Sequence, residues 1–214
     1  MMRGFTMTEF EKPDFAKIFT EMKLLSAEEF EKWGEEERNG NVLKALESIQ
    51  ALIPKRYVNA QTSVTFNYKT PFYLSGAVGT GKTYTAYTII RNHIMRSYAQ
   101  EGKYKRPVDL HNVPRLVTRY RNIDGNAREE MIEQLGKGMV IFDDLGAESD
   151  SEFSREFILA ILDLRWENLS WTGFTSNFKL GNLPYNQRII SRVAGIVGDN
   201  RTFLDGTDGR VRHE

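Results

Sequence analysis

The chain has no cysteine among its 214 residues, which excludes a disulfide framework and any zinc site built on thiolates. Histidine is nearly as scarce. His93, His111 and His213 are too scattered for a metal-ligand pattern, so each reads as structural or incidental. Charge of one dominant sign is also missing. Lys plus Arg and Asp plus Glu both number 29, so there is no overall basic field for nucleic acid, and any such contact has to be local. No apolar run of about eighteen residues occurs, and Met1-Met2-Arg3-Gly4-Phe5-Thr6 lacks the apolar stretch of a secretion signal, so a cytoplasmic protein without membrane contact is expected. What the chain does have is an apolar content of 40%, enough for one core domain with a modest appendage.

Residues 1–53 read as short charged helices. Phe15, Ile18, Phe19, Met22 and Leu25 recur at helical spacing, and Ser26 with Glu29 forms a capping-box signature for a second helix carrying Phe30 and Trp33. Gly34 and Asn39-Gly40-Asn41 are expected to break that helix. A third, from Val42 to Ile53, places Val42, Ala45, Leu46, Ile49 and Ile53 on one stripe until Pro54 stops it. This segment serves either as a partner-binding module or as packing for the domain formed by residues 54–214.

Gly76-Ala77-Val78-Gly79-Thr80-Gly81-Lys82-Thr83 fits the phosphate-binding pattern G-x-x-x-x-G-K-[ST]. Glycine lets the backbone fold into a cradle of inward-facing N–H groups, and the helix that follows adds its positive N-terminal end. Lys82 would reach the β- and γ-phosphates, Thr83 would ligate Mg²⁺, and Tyr84 continues the nucleotide-binding run. The context agrees: a short strand at Pro71–Ser75 precedes, and a helix follows with Ala86, Ile89, Ile90 and His93 on one face. Lys55-Arg56-Tyr57 lies ahead of the loop as a positional candidate for the adenine pocket.

Beyond this helix, residues 108–113 alternate as a second strand and Pro114 opens another helix. Arg115, Arg119 and Arg121 form a small basic cluster with Lys103, Lys105 and Arg106. With Tyr120 as a stacking residue, the cluster is either a single-stranded DNA contact or a solvated helix face. Residues 139–142 are four apolar residues running into Asp143-Asp144, the signature of a Walker B strand buried on both faces. Asp143 would hold the metal, and Asp144 stands where a carboxylate polarises attacking water. The strand at 108–113 intervenes between the two motifs, which argues against a layout in which the acid ends the very next strand.

Ser151 is a helix N-cap, and Phe153, Phe157, Ala160, Ile161 and Leu164 are the expected buried stripe of the helix it starts. A strand at 171–177 ends in Asn177, whose amide can reach the γ-phosphate or the attacking water. No N-K-x-D guanine signature follows any strand, so ATP with Mg²⁺ is the expected ligand. Arg188 and Arg192 share one helical face, residues 199–204 form a last short strand, and Arg210 lies near the end.

Taken in order, Gly76–Thr83, Asp143-Asp144-Leu145-Gly146-Ala147-Glu148, Thr175-Ser176-Asn177 and Arg188-Ile189-Ile190-Ser191-Arg192-Val193 resemble AAA+ ATPases of the DnaC/DnaI helicase-loader group, with the IstB transposition helpers as close relatives. The resemblance covers the chain from about Ile53 to Arg210. It implies an α/β P-loop NTPase of the AAA+/ASCE type: a five-stranded parallel sheet sandwiched by helices, with a small helical N-terminal segment and a minimal or absent lid. It also makes Asn177 the sensor 1 residue and Arg192 the arginine finger offered to a neighbour's ATP, with Arg188 a second candidate. Asp208-Gly209-Arg210 is similar to the Asp-Tyr-Arg ending of many loaders, which makes Arg210 a sensor 2 candidate.

The function this implies is loading of a replicative DNA helicase during DNA replication, by a Mg²⁺-dependent ATPase that forms homo-oligomers when ATP is bound. Because Asp144 is one methylene shorter than the glutamate common in AAA+ motors, slow hydrolysis is expected. The alternatives are an IstB-like helper of a transposase and an interaction module that binds ATP without hydrolysing it. A small-molecule kinase is disfavoured, since no arginine-rich lid or second-substrate signature is present.

Overall fold

The computed structural model describes residues 35–60, 62 and 67–206. Five short strands form one sheet: β1 (Phe72–Gly76), β2 (Val108–Asn112), β3 (Met139–Asp143), β4 (Thr172–Ser176) and β5 (Arg201–Leu204). Every neighbouring pair is parallel, and the order across the sheet is β2-β3-β4-β1-β5. Six helices accompany them: α1 (Glu35–Leu52), α2 (Lys82–Glu101), α3 (Val113–Arg121), α4 (Gly125–Leu135), α5 (Glu152–Glu167) and α6 (Gln187–Val197).

β4 stands between β1, which carries the phosphate loop, and β3, which carries the acids. The two motifs are therefore not on adjacent strands, and the architecture is an α/β fold of the P-loop type built on a five-stranded parallel sheet. Strands buried on both faces need apolar residues at consecutive positions. β1 and β4 are buried at every position, and β3 at all but its first. On one face Tyr73, Val140, Phe142 and Phe174 join a core with Val117, Leu135, Phe157, Ile161, Ile189 and Val193 from α3 to α6. Phe72, Leu74 and Ile141 alternate to the other face and are equally buried.

The described chain divides into two compact units. One takes in residues up to Leu52 with Asn92–Lys105, and the other takes in Ile53–Arg91 with residues from Arg106 on. In the first unit α1 runs unbroken through Asn39-Gly40-Asn41, contrary to the expected break. A single helical glycine costs only about 1 kcal/mol relative to alanine, and tertiary burial offsets it. Val42, Ala45 and Ile49 are buried here, and the Ser48 hydroxyl lies 2.9 Å from that of Tyr98. The expected helices carrying Phe15 to Trp33 fall outside the described residues, as does Arg210.

Two helices depart from the sequence expectation. α5 has the expected N-cap, Ser151, but its stripe is rotated. Phe157 and Ile161 are buried as expected, whereas Ser154, Ile158, Leu162 and Arg165 replace Phe153, Ala160 and Leu164 as the other deeply buried positions. α4 was not anticipated. Its sequence is mostly polar, and it is started by Asp124, whose side chain accepts from the Ala127 N–H, with only Met131 and Leu135 buried.

Candidate nucleotide-binding site

The phosphate loop leaves β1 at Gly76, where a Cβ would lie 2.6 Å from the Leu204 carbonyl oxygen on β5 and 2.8 Å from Thr80 Oγ1. Only glycine fits there without a shift. Gly79 and Gly81 take φ of 83° and 88°, the left-handed region that turns the loop back into α2. Thr80 Oγ1 donates to the Ala77 carbonyl at 2.8 Å and stiffens the turn. Lys82 is buried and donates to the carbonyls of Gly76 at 2.9 Å and Ala77 at 2.8 Å. An ammonium held against neutral carbonyls at a helix N-terminus is poised to take an anionic partner.

Opposite the loop, Asp143 ends β3 and is only 3% exposed. Thr83 Oγ1 lies 3.1 Å from both its carboxylate oxygens, and Thr175 Oγ1 donates to Oδ1 at 2.6 Å. The two groups assigned to the metal, Thr83 and Asp143, are thus in direct contact. Burial pushes the Asp143 carboxyl above the usual range, the charge of Asp144 adds to this, and Thr175, Thr83 and Lys82 pull it back. Such a carboxylate gains from a nearby cation, which is the chemistry a Mg²⁺ ligand set needs.

Asp144 leaves the strand at φ 60°, a left-handed conformation that aspartate tolerates better than most residues. Its N–H donates to Thr175 Oγ1 at 3.0 Å, and the Leu145 N–H donates to the Thr175 carbonyl at 2.8 Å. Thr175 therefore fixes the orientation of both acids. Asp144 Oδ2 also accepts from Asn112 Nδ2 at 3.0 Å, while Asn112 Oδ1 accepts from Arg115 N at 3.3 Å and caps α3. Further along this turn the Glu148 carboxylate accepts from the Gly146 N–H at 3.1 Å and from the Tyr185 hydroxyl.

Between loop and acids lies a cleft of about 410 Å³, lined by Arg56, Tyr57, Val78, Gly79, Gly81, Lys82, Thr83, Tyr84, Asp144, Ala147 and Asn177. Asn177 follows β4 and is held by its neighbours, with Phe178 N donating to Ser176 Oγ at 3.1 Å and Tyr73 donating to the Phe178 carbonyl at 2.8 Å. Tyr57 stacks on Tyr87 with ring centroids 4.4 Å apart and meets Tyr84 edge-on at 6.0 Å. Arg56 and Tyr57 of the positional adenine candidate thus line the cleft. The volume is within the range of small-molecule sites.

Arg188 and Arg192 project from α6 onto a single carboxylate, Asp163 of α5, at 3.2 Å and 2.6 Å. The basic cluster, by contrast, is dispersed. Arg119 borders a different cleft with Asp109, His111 and Glu130, Arg121 donates to Ser151 Oγ at 2.9 Å, and Arg115 acts electrostatically on Tyr87. Tyr120 is not free to stack a base, because its ring lies on Phe157 at 3.8 Å with Arg128 5.4 Å from its centroid. These helical neighbours meet different partners, and Tyr120 packs half-buried against the core.

The roles of Asn112, Thr175 and Asp163 are absent from the sequence reading, since each depends on a partner far along the chain. Arg165 was missed as well. It is fully buried and donates to Thr172 Oγ1, to the carbonyls of Leu135 and Lys137, and to those of Gly138 and Trp171, at 2.6–3.0 Å. No described helix is long and apolar enough to cross a membrane.

No family model matches the chain, and no curated protein does. Among solved structures the chain is similar to the DnaI structure at 24% identity, covering 78% of this chain and 81% of that one, with a TM-score of 0.48. It is similar to the DnaC helicase loader at 18% identity, covering 80% and 90%, with a TM-score of 0.43. AMPPCP-bound DnaA from Aquifex aeolicus matches at 17% identity over 77% of this chain and 44% of that one, with a TM-score of 0.46.

Proposed function

We propose that the protein is an ATP-dependent loader of a replicative DNA helicase, with ATP bound in the cleft between the phosphate loop and β3. The observation that carries the ATPase part is the contact of Thr83 with Asp143 beside a buried Lys82, in a cleft that also includes Asp144 and Asn177. The loader part is supported by the motif order, above all the Asp143–Glu148 run.

In this reading the loop N–H groups and Lys82 bind the phosphates, with Lys82 exchanging its carbonyl partners for phosphate oxygens. Tyr57, Tyr84, Arg56 and Val78 enclose the adenine. Thr83 and Asp143 hold Mg²⁺, which neutralises charge on the phosphates when bound. Asp144 orients water and takes up its proton, and Asn177 positions the γ-phosphate end. Arg192 of a neighbouring subunit completes the site, so ATP favours assembly. Asp144 is short and engaged by Asn112, which makes the protein a slow ATPase, a switch more than a motor.

The test is nucleotide binding and turnover by wild type and Lys82→Ala. Wild type should hydrolyse ATP in the presence of Mg²⁺ at well below about 10 per second, the median for enzymes. The variant should lose turnover and ATP-driven assembly together. ATP binding without turnover, even with single-stranded DNA and partner present, favours the non-hydrolysing module instead.

A further inference from the structure

Arg192 and Arg188 meet Asp163 differently. Arg192 donates through Nε to Oδ1 at 2.6 Å, whereas Arg188 uses a terminal amine, Nη2, to Oδ2 at 3.2 Å. The guanidinium is a planar fork in which Nε–H and one terminal amine share an edge, so a bond at Nε leaves the other terminal amine pointing away from the acceptor. Among the described residues no acceptor is bonded to either terminal amine of Arg192. Its plane is steadied from the side by Trp166, whose ring centroid lies 5.5 Å from Cζ. Trp166 is itself pressed onto α6, where a Cβ at Gly195 would come within 2.5 Å of the ring. Arg188, 67% exposed against 30% for Arg192, has no such support.

We infer that Asp163 and Trp166 form a mount that aims Arg192 out of its own subunit, and that Asp163 is a positioning residue for ATP hydrolysis in the neighbour. The inference rests on the reading of Arg192 as the residue offered across a subunit interface. It assigns the projecting role to Arg192, with Arg188 a second ligand of the shared carboxylate. An arginine that must meet a phosphate in another subunit loses less side-chain entropy on assembly if it is already held. Gly195 belongs to the same device, because a side chain there would displace the tryptophan.

Subunit mixing separates the possibilities. Asp163→Ala should lower kcat about 10- to 100-fold, as misplacement of a catalytic group does, with KM for ATP within about twofold of wild type. Asp163→Asn, which keeps one acceptor, should fall between. Gly195→Ala should reproduce part of the loss with Asp163 intact. Added Asp144→Asn subunits keep the phosphate loop and assembly, hydrolyse nothing and carry an intact mount, so they should restore turnover to Asp163→Ala sites, as they should to Arg192→Ala sites. Without nucleotide, ¹⁵N-arginine NMR should show one slowly exchanging Nε–H in wild type that is missing from both Arg192→Ala and Asp163→Ala. If Arg192→Ala is rescued by mixing and Asp163→Ala is not, the carboxylate acts within its own subunit and the mount is wrong. If Arg192→Ala is not rescued, the finger reading itself fails and takes this inference with it. Unchanged kcat in Asp163→Ala also overturns it.

Discussion

Asn112 donates its side-chain amide to Asp144, Nδ2 to Oδ2 at 3.0 Å, from the end of β2 to the turn that follows β3. The bond occupies an oxygen that would otherwise face water. Asn112→Ser keeps a capping oxygen for α3 and is too short to reach Asp144. Turnover should rise about two- to tenfold, with stability within about 1 kcal/mol of wild type. Steady-state ATPase rates and urea unfolding check this, and an unchanged or reduced kcat contradicts it.

Asp143 has its carboxyl pushed up by burial in the folded chain. The folded state therefore holds the proton more tightly than the unfolded state, and ionisation of this group costs stability. Its favourable contribution is present below the ordinary carboxylate range and is lost as pH rises through the folded value. Asp143→Asn should accordingly melt at a higher temperature than wild type at pH 7 without nucleotide. The difference should narrow as the pH is lowered toward the carboxylate range. Mg²⁺-dependent turnover should fall at least about 100-fold in the same variant. Thermal melts at several pH values read the first effect and ATPase assays the second.

Arg165 ties the end of α4 and the start of β4 to the chain ahead of β3. Removing it leaves several buried acceptors without donors, each worth about 1–3 kcal/mol. Arg165→Ala should cost about 3–5 kcal/mol, within the range for breaking a buried charged network. Lysine offers one point charge in place of a planar fork, so Arg165→Lys should recover only part of the loss. Denaturant unfolding measures both.

What was legible in the sequence is what lies within one contiguous stretch. The loop Gly76–Thr83 and the strand ending in Asp143-Asp144 carry their chemistry in adjacent residues, whereas the placement of β4 between β1 and β3 is set by strand pairing. The relationships of Asn112 to Asp144 and of Arg192 to Asp163 are set by strand register and helix packing, which no local pattern encodes. Tyr120 is a similar case: its neighbours in sequence left a ligand surface and a solvated face both open, and its stacking on Phe157 is set by the packing of α5. Arg165 lies four residues beyond Ile161, on the buried face of α5, and the carbonyls gathered around it from distant segments account for the burial of a charged group there.

The measurement that tests the central claim most directly is an affinity pull-down from cells of the protein's own source, with ATP and without it. The account predicts that the wild type retains a replicative helicase with ATP present, and that retention falls when ATP is omitted or Lys82 is replaced by alanine. Retention of a transposase, or of no helicase while the same preparation turns over ATP, would contradict it.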